Sequence, residues 1–305
     1  MSSAATREVD VDALNAFLGD IGSYNYAHIF VPHDKLLYHY TDLRGLQGIV
    51  ESHDLWLTHS RYLNDEEELT HGLDVAVGVL TEERDAAPAG STRRGYVEKL
   101  EALLRQPIPE GVYTCSFCET DNVLSQWRGY AANGTGVSLR MSPMGFSDGT
   151  GPDCPHGLLR LWKVFYSRDT KRKIVKDAVD FGFDHNYPNV SSPDSRAQLA
   201  ADAIQFFIPT FKNEDFKEEC ECRLIFTPKP ASTLKPRFRV GHNMLVPFFG
   251  LRSLTPGLAP LLPISGLTVG PSANKKLNVE SARMLLAQNG YADVAADASA
   301  TTYRG

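Results

Sequence analysis

The stretch Glu219-Cys220-Glu221-Cys222-Arg223-Leu224-Ile225-Phe226 alternates with a period of two. In an extended chain Cys220, Cys222, Leu224 and Phe226 share one face, while Glu219, Glu221 and Arg223 share the other. The first face continues as apolar, so it reads as a core strand carrying small, inert cysteines. The second sets two carboxylates side by side. They repel, which raises the pKa of one unless a cation intervenes, and Arg223 or the nearby Lys217 is the candidate cation. Such a face is either an edge-strand salt bridge or a carboxylate held ready to steady a developing positive charge or orient a hydroxyl.

Two further segments set polar side chains inside apolar patterns. Lys35 to Thr41 predicts a strand that ends at Asp42, the cap of a short helix with Leu43, Leu46 and Val50 on one side. Alternation puts His39 and Thr41 on one face of this strand and Tyr38 and Tyr40 on the other. A helix predicted over 121–131 has Val123, Trp127 and Tyr130 at core spacing. Gln126 and Arg128 flank that stripe, and the Arg128 guanidinium suits bidentate phosphate recognition. An unpaired polar group in a core costs roughly 1–3 kcal/mol. Three such exceptions point to one cleft.

Outward from these segments, an opening helix is predicted from Leu14, Phe17, Leu18 and Ile21, and a strand over 55–58. Asn64 or Asp65 caps a helix with the stripe Leu69, Leu73, Val77 and Leu80. Residues 85–93 read as a polar linker. A helix with Val97, Leu100 and Leu104 precedes strands over 112–117 and 136–141. Ser192-Pro193 opens a helix that Pro209 closes. A strand over 266–269 and a helix over 279–288, stopped by Gly290, complete the pattern. Strands and helices interleave without a regular β-α alternation, which favours an α+β fold over a doubly wound sheet.

Composition narrows the functional classes. A chain of 305 residues can bury a large core. A formal charge of −6 supplies no general field for nucleic acid. The basic run over 163–176 is diluted by acidic neighbours and reads as a solvated helix face. No stretch approaches the ~18 apolar residues of a membrane helix, and residues 1–10 lack an apolar signal core, so no membrane and a cytoplasmic location are expected. Five cysteines, an odd count, fit a reducing compartment. Cys115-x-x-Cys118 and Cys220-x-Cys222 could supply four thiolates to zinc, but the apolar face that Cys220 and Cys222 share argues for core packing and no metal.

Four strings carry a family resemblance. They are Leu37-Tyr38-His39-Tyr40-Thr41, the segment Arg61 to Glu67, Cys115-Ser116-Phe117 followed by Leu124-Ser125-Gln126-Trp127-Arg128-x-Tyr130-Ala131, and Glu219-x-Glu221-x-Arg223-Leu224-Ile225. Over about residues 35–280 the chain resembles the bacterial family called domain of unknown function 2971, a name that carries no activity. A deeper similarity is to the ADP-ribosyltransferase fold: a strand bearing His-x-Thr, a short helix turning into a second strand, a later strand followed by a helix ending in Tyr-Ala, and a late strand opened by glutamate.

This resemblance implies a single α+β domain over 31–295 around a split mixed or antiparallel sheet, with a helical extension over 1–30 and a flexible tail over 296–305. In the His-Tyr-Glu branch of that superfamily the histidine and an adjacent hydroxyl hold NAD, a tyrosine stacks near nicotinamide, and the glutamate steadies an oxocarbenium-like transition state. The resemblance thus implies that His39 and Thr41 bind NAD and that Glu221 is catalytic. Glu219 becomes the first carboxylate of a Glu-x-Glu pair that assists the acceptor. Tyr113 and Ser116 are candidates for the tyrosine position, with Tyr62 a further one, and Arg128 and Tyr130 complete the cofactor set. The implied activity is transfer of ADP-ribose from NAD to a protein or nucleic-acid acceptor, or NAD hydrolysis, in a bacterial stress, toxin or phage-defence setting. The competing reading is a non-catalytic nucleotide sensor. The transferase reading requires His39 and Glu221 to approach across a common cleft, within about 10 Å, the size of a small-ligand site, and placement on opposite faces of the sheet stands against it.

Overall fold

The computed structural model describes residue 17 and residues 30–32, 34–63, 67–106, 111–143, 154–184, 192–229, 232–241 and 243–301. The strands are β1 (Leu37–Thr41), β2 (Trp56–His59), β3 (Tyr113–Cys118), β4 (Val137–Met141), β5 (Gly157–Lys163), β6 (Glu221–Pro228), β7 (Arg237–Val240), β8 (Leu245–Gly250), β9 (Ile264–Val269) and β10 (Ala296–Ala298). The helices are α1 (Leu43–Ser52), α2 (Glu67–Ala86), α3 (Thr92–Leu104), α4 (Leu124–Gly129), α5 (Arg168–Asp184), α6 (Pro193–Phe207), α7 (Leu251–Leu254) and α8 (Lys275–Gln288).

Local sequence explains the boundaries. Asp42 caps α1 by accepting from Gly45 N at 2.6 Å, and Ser192 caps α6 with Pro193 in its first turn. Gly290 follows α8 with φ +85°, a conformation that a side chain strains. The ten strands form one open mixed sheet, ordered β10-β9-β4-β1-β3-β2-β8-β7, with β6 joined to β3 and β5 joined to β6. Only β10 against β9 is parallel among these pairs.

The registers assign each side chain to a face. Leu37, Leu139, Cys115, Phe117, Cys222 and Leu224 enter one buried cluster with α1 and α8. The opposite face carries Trp162, packed on Phe206 and Phe207 of α6 at 4.7 and 5.0 Å. There α2, α3, α5 and α6 form a helical layer. β5 and β6 are buried on both faces, and so bury the charged side chains Arg160, Glu221 and Arg223 among apolar ones.

Several expectations are corrected. The helix predicted over 121–131 is short, because Asn122 takes φ +62° and the regular helix spans only α4. The buried line of α2 is Ala76, Val79 and Leu80, rotated from the expected stripe, and Leu43 of α1 is exposed. The linker is shorter than 85–93, since α2 runs to Ala86 and α3 begins at Thr92. The basic run is not uniformly solvated: Lys171 is buried and donates to Lys212 O at 2.8 Å. The tail expected from residue 296 begins as strand β10. Most of the predicted N-terminal extension lies outside the described residues, as do the proposed caps Asn64 and Asp65. Phe17 is described; it is buried against Phe181 and Phe207.

Candidate functional site

The site begins with a fault in the sheet. Along its whole length β3 pairs with β6, from Tyr113↔Phe226 to Cys118↔Glu221. Its other edge is shared: β2 takes Tyr113 and Thr114, while β1 takes Cys118 alone. Between them Cys115, Ser116 and Phe117 meet no strand on that edge. His39 fills part of the gap, with Nδ1 2.9 Å from Ser116 O. A carbonyl only accepts, so Nδ1 carries the proton. Burial pushes the His39 pKa down, against the opposing effect of that hydrogen bond, so the ring is neutral at pH 7.

A cleft of about 800 Å³ opens at this gap. It is lined by His39, Thr41, Ser116, Tyr130 and Glu221, which the sequence singled out, and by Tyr62. Strand alternation sends His39 to the face of Phe117 and Cys115, and Glu221 to that of Cys118 and Ser116. They leave opposite faces of the sheet, against the expectation for a transferase site, and both still line one cleft because the ladder is interrupted between β1 and β2. Thr41 packs on the first turn of α1, where a Cβ at Gly45 would overlap its hydroxyl. That close approach explains a glycine at this position.

The wall near Glu221 is ionic and buried. Arg223 Nε donates to Glu221 Oε1 at 2.6 Å and Nη2 to Oε2 at 2.8 Å. Lys212 Nζ donates to Glu221 Oε2 at 3.0 Å and to Glu219 Oε2 at 2.6 Å. All four side chains are at least nine-tenths buried. Burial alone would raise the Glu221 pKa, but Arg223 and then Lys212 overcome it, and the Ser116 hydroxyl adds to them, bringing it to about 2. The cation shared by the two glutamates is therefore Lys212, not Lys217, and the cluster is not an exposed edge. Glu219 belongs to a short 3₁₀ turn, and Cys220 follows in a left-handed conformation with φ +43°. The alternation of β6 thus starts only at Glu221. Cys220 is partly exposed rather than buried, whereas Cys222 is fully buried.

Other expected site residues fall elsewhere. Tyr113 is buried against His59 and Phe249, at ring distances of 5.0 and 4.6 Å, and does not line the cleft. Arg128 is exposed on α4 and is not part of the lining, and neither is Glu219. The aromatic side chains that do face the cleft include Tyr38, Tyr40 and Trp56. Tyr40 is locked: its hydroxyl accepts from Val123 N at 3.1 Å and its ring meets Trp127 edge-on at 4.9 Å. Trp127 Nε1 in turn donates to Asn122 Oδ1 at 2.9 Å, and this lock holds α4 with buried Gln126 at the cleft. Alternation already placed Tyr40 opposite His39, but no signal in the sequence joined Lys212 to Glu221.

Among the described residues no group of three His, Cys, Asp or Glu side chains is placed to hold a metal ion, and no helix is long and apolar enough to cross a membrane. Residues 126–224 match the family model described as protein of unknown function (DUF2971). The matched segment runs from Gln126 through the ionic cluster and excludes His39 and Thr41. No curated protein and no solved structure matches the chain.

Proposed function

We propose that the cleft binds NAD and that the protein is ADP-ribosyltransferase-like, transferring ADP-ribose to a macromolecular acceptor or to water. The observation that carries this reading is the convergence of His39, Thr41, Ser116 and Glu221 on one cleft at a break in the sheet. His39 and Thr41 hold the ligand as neutral hydrogen-bonding groups. Glu221 stays ionised at neutral pH, as a group that faces a developing oxocarbenium must be. Tyr40 or Tyr62 takes the aromatic role, since Tyr113 is enclosed in the core. Incubation with labelled NAD tests the proposal: label on an acceptor together with released nicotinamide, or nicotinamide release alone for hydrolysis, is expected. Neither product, with NAD bound, leaves the second reading.

That second reading is a nucleotide-binding module without turnover, and one observation favours it. Both oxygens of Glu221 are engaged by Arg223 and Lys212, which neutralise much of the charge that catalysis would use. NAD affinity without nicotinamide release would select it.

A further inference from the structure

The end of the cleft nearest β7 contains polar groups without a partner among the described residues. Arg239 reaches across β8, and Nη2 donates to Thr58 Oγ1 at 3.4 Å. Its Nε is buried and has no hydrogen-bond partner among the described residues. Thr114 sits directly opposite Thr58 in the β2–β3 ladder. It is 3% exposed, and among the described residues its hydroxyl also has no partner. All three residues line the cleft, as does exposed Arg44 from the first turn of α1. Buried polar groups are satisfied in the great majority of cases; these two orphans, unlike that of Arg160 in the sealed core, line an open cavity where a bound group can reach them.

The charges indicate which kind of group. The described lining contains two carboxylates, Asp42 and Glu221, and two guanidinium groups, Arg44 and Arg239. Glu221 is already neutralised from behind by Arg223 and Lys212. Asp42 spends one oxygen on Gly45 N and acts on Arg239 only at longer range. The β7 end therefore keeps a positive excess. A guanidinium with an idle N–H, flanked by hydroxyl donors, suits phosphate oxygens.

We propose that Arg239, with the hydroxyls of Thr58 and Thr114, forms a subsite for the diphosphate of a nucleotide, with Arg44 as an outer counter-charge. The proposal rests on the reading of the cleft as a nucleotide site and gives the ligand a direction. The diphosphate lies toward β7, and the glycosidic end of the ligand toward Ser116 and Glu221.

The test is calorimetric titration of the full chain with ADP, NAD and nicotinamide riboside, which lacks the diphosphate. Arg239→Gln is expected to weaken ADP binding about tenfold to a hundredfold, the worth of a charge-assisted hydrogen bond. Nicotinamide riboside affinity is expected to stay within about twofold. Thr114→Val serves where Arg239→Gln fails to fold. Its hydroxyl bonds none of the described residues, so the variant should melt no lower than the parent and still bind ADP more weakly. ADP bound equally by parent and variants, or not bound by the parent, overturns the subsite. NAD turnover that persists alongside ADP affinity indifferent to Arg239 removes the subsite and leaves the transferase. Arg239-dependent ADP binding without nicotinamide release upholds the subsite and retires the transferase.

Discussion

Arg223 and Arg160 lie on the same sheet face of adjacent strands, one at the cleft wall and one inside the core, and they are held in opposite ways. Arg223 sits opposite Trp162, two residues from Arg160. Both arginines are almost wholly buried, at 2% and 1% exposure. Arg223 joins a cluster of two cations and two carboxylates. Among the described residues Arg160 has no carboxylate. It donates to Phe206 O at 2.7 Å and Thr227 Oγ1 at 3.2 Å, and stacks 3.6 Å over the Phe206 ring. Burial pushes its guanidinium down to about 9, still charged at neutral pH. The difference teaches that a buried charge alone does not mark a site. Where the sheet opens at the cleft, the charge is compensated and fixed by several partners; in the sealed core, a carbonyl, a hydroxyl and aromatic rings hold it, and its Nε has no partner among the described residues.

The largest effect should come from removing the cation that both glutamates share. Lys212→Met leaves Glu219 and Glu221 buried with Arg223 as the remaining cation of the cluster. Breaking a buried ion pair by deleting one partner costs about 3–5 kcal/mol, and the urea midpoint should fall accordingly. Arg223→Met should cost a similar amount. Arg160→Met is expected to stay within about 1.5 kcal/mol, because the lost contacts are offset by no longer burying an uncompensated charge. Equal losses at Arg160 and Arg223 would erase the contrast between the two regions.

Next in size is Glu221→Gln, which keeps shape but removes the charge. Under the transferase reading, turnover falls ~10²–10³-fold while NAD affinity changes little. Equal loss of binding and turnover would make the glutamate structural and favour the sensor. The same variant tests the acid limb of stability. Glu221 has a depressed folded pKa, about 2 against an ordinary 4.5. Its contribution is fully present above pH 4.5 and is lost as pH falls toward 2. Between those values the variant should lose stability less steeply than the parent in acid titrations followed by circular dichroism.

The legible parts of the fold were those with strong local rules. Asp42, Ser192-Pro193 and Gly290 marked helix ends correctly because caps act within one turn. β1, β3, β4 and the start of β6 were visible from alternation or apolar runs. β5, β7 and β8 were missed, along with helix α5 as a packed element. Arg160 in β5 and Arg237 and Arg239 in β7 break the apolar pattern, and cross-strand partners rather than local sequence make those segments strands. Within the site, His39, Thr41 and Glu221 were read as polar exceptions, Ser116 entered through the resemblance and Tyr130 through its place beside Gln126 and Arg128, and all five line the cleft. Tyr113 misled because a tyrosine on the right strand can point into the core as readily as into a cleft. Lys212, Thr114 and Arg239 were not legible, since their roles depend on registers joining segments 9 to 181 residues apart.

The smallest expected effect concerns His39, which lines the cleft and packs on the core of the other sheet face. Its ring packs on Phe117 at 5.6 Å on the core side, and its Nδ1–H serves the break in β3. Burial disfavours the imidazolium, so the folded pKa lies below the ordinary 6.5. Between the two values the unfolded chain binds more protons than the folded one, so stability falls as pH drops below 6.5 and levels off beneath the folded pKa. His59 has a lowered pKa too, from burial and then from Arg61, but it is common to parent and variant and cancels in their difference. His39→Gln should therefore show a shallower loss of stability between pH 7.5 and 5 than the parent, in chemical denaturation run at each pH. Nitrogen chemical shifts give an independent check, with Nδ1 protonated and Nε2 bare at neutral pH. Parallel stability curves, or a proton on Nε2 alone, would show that His39 does not bridge the gap in the sheet. The cleft would then lose the neutral donor that ties β1 to the Glu221 wall.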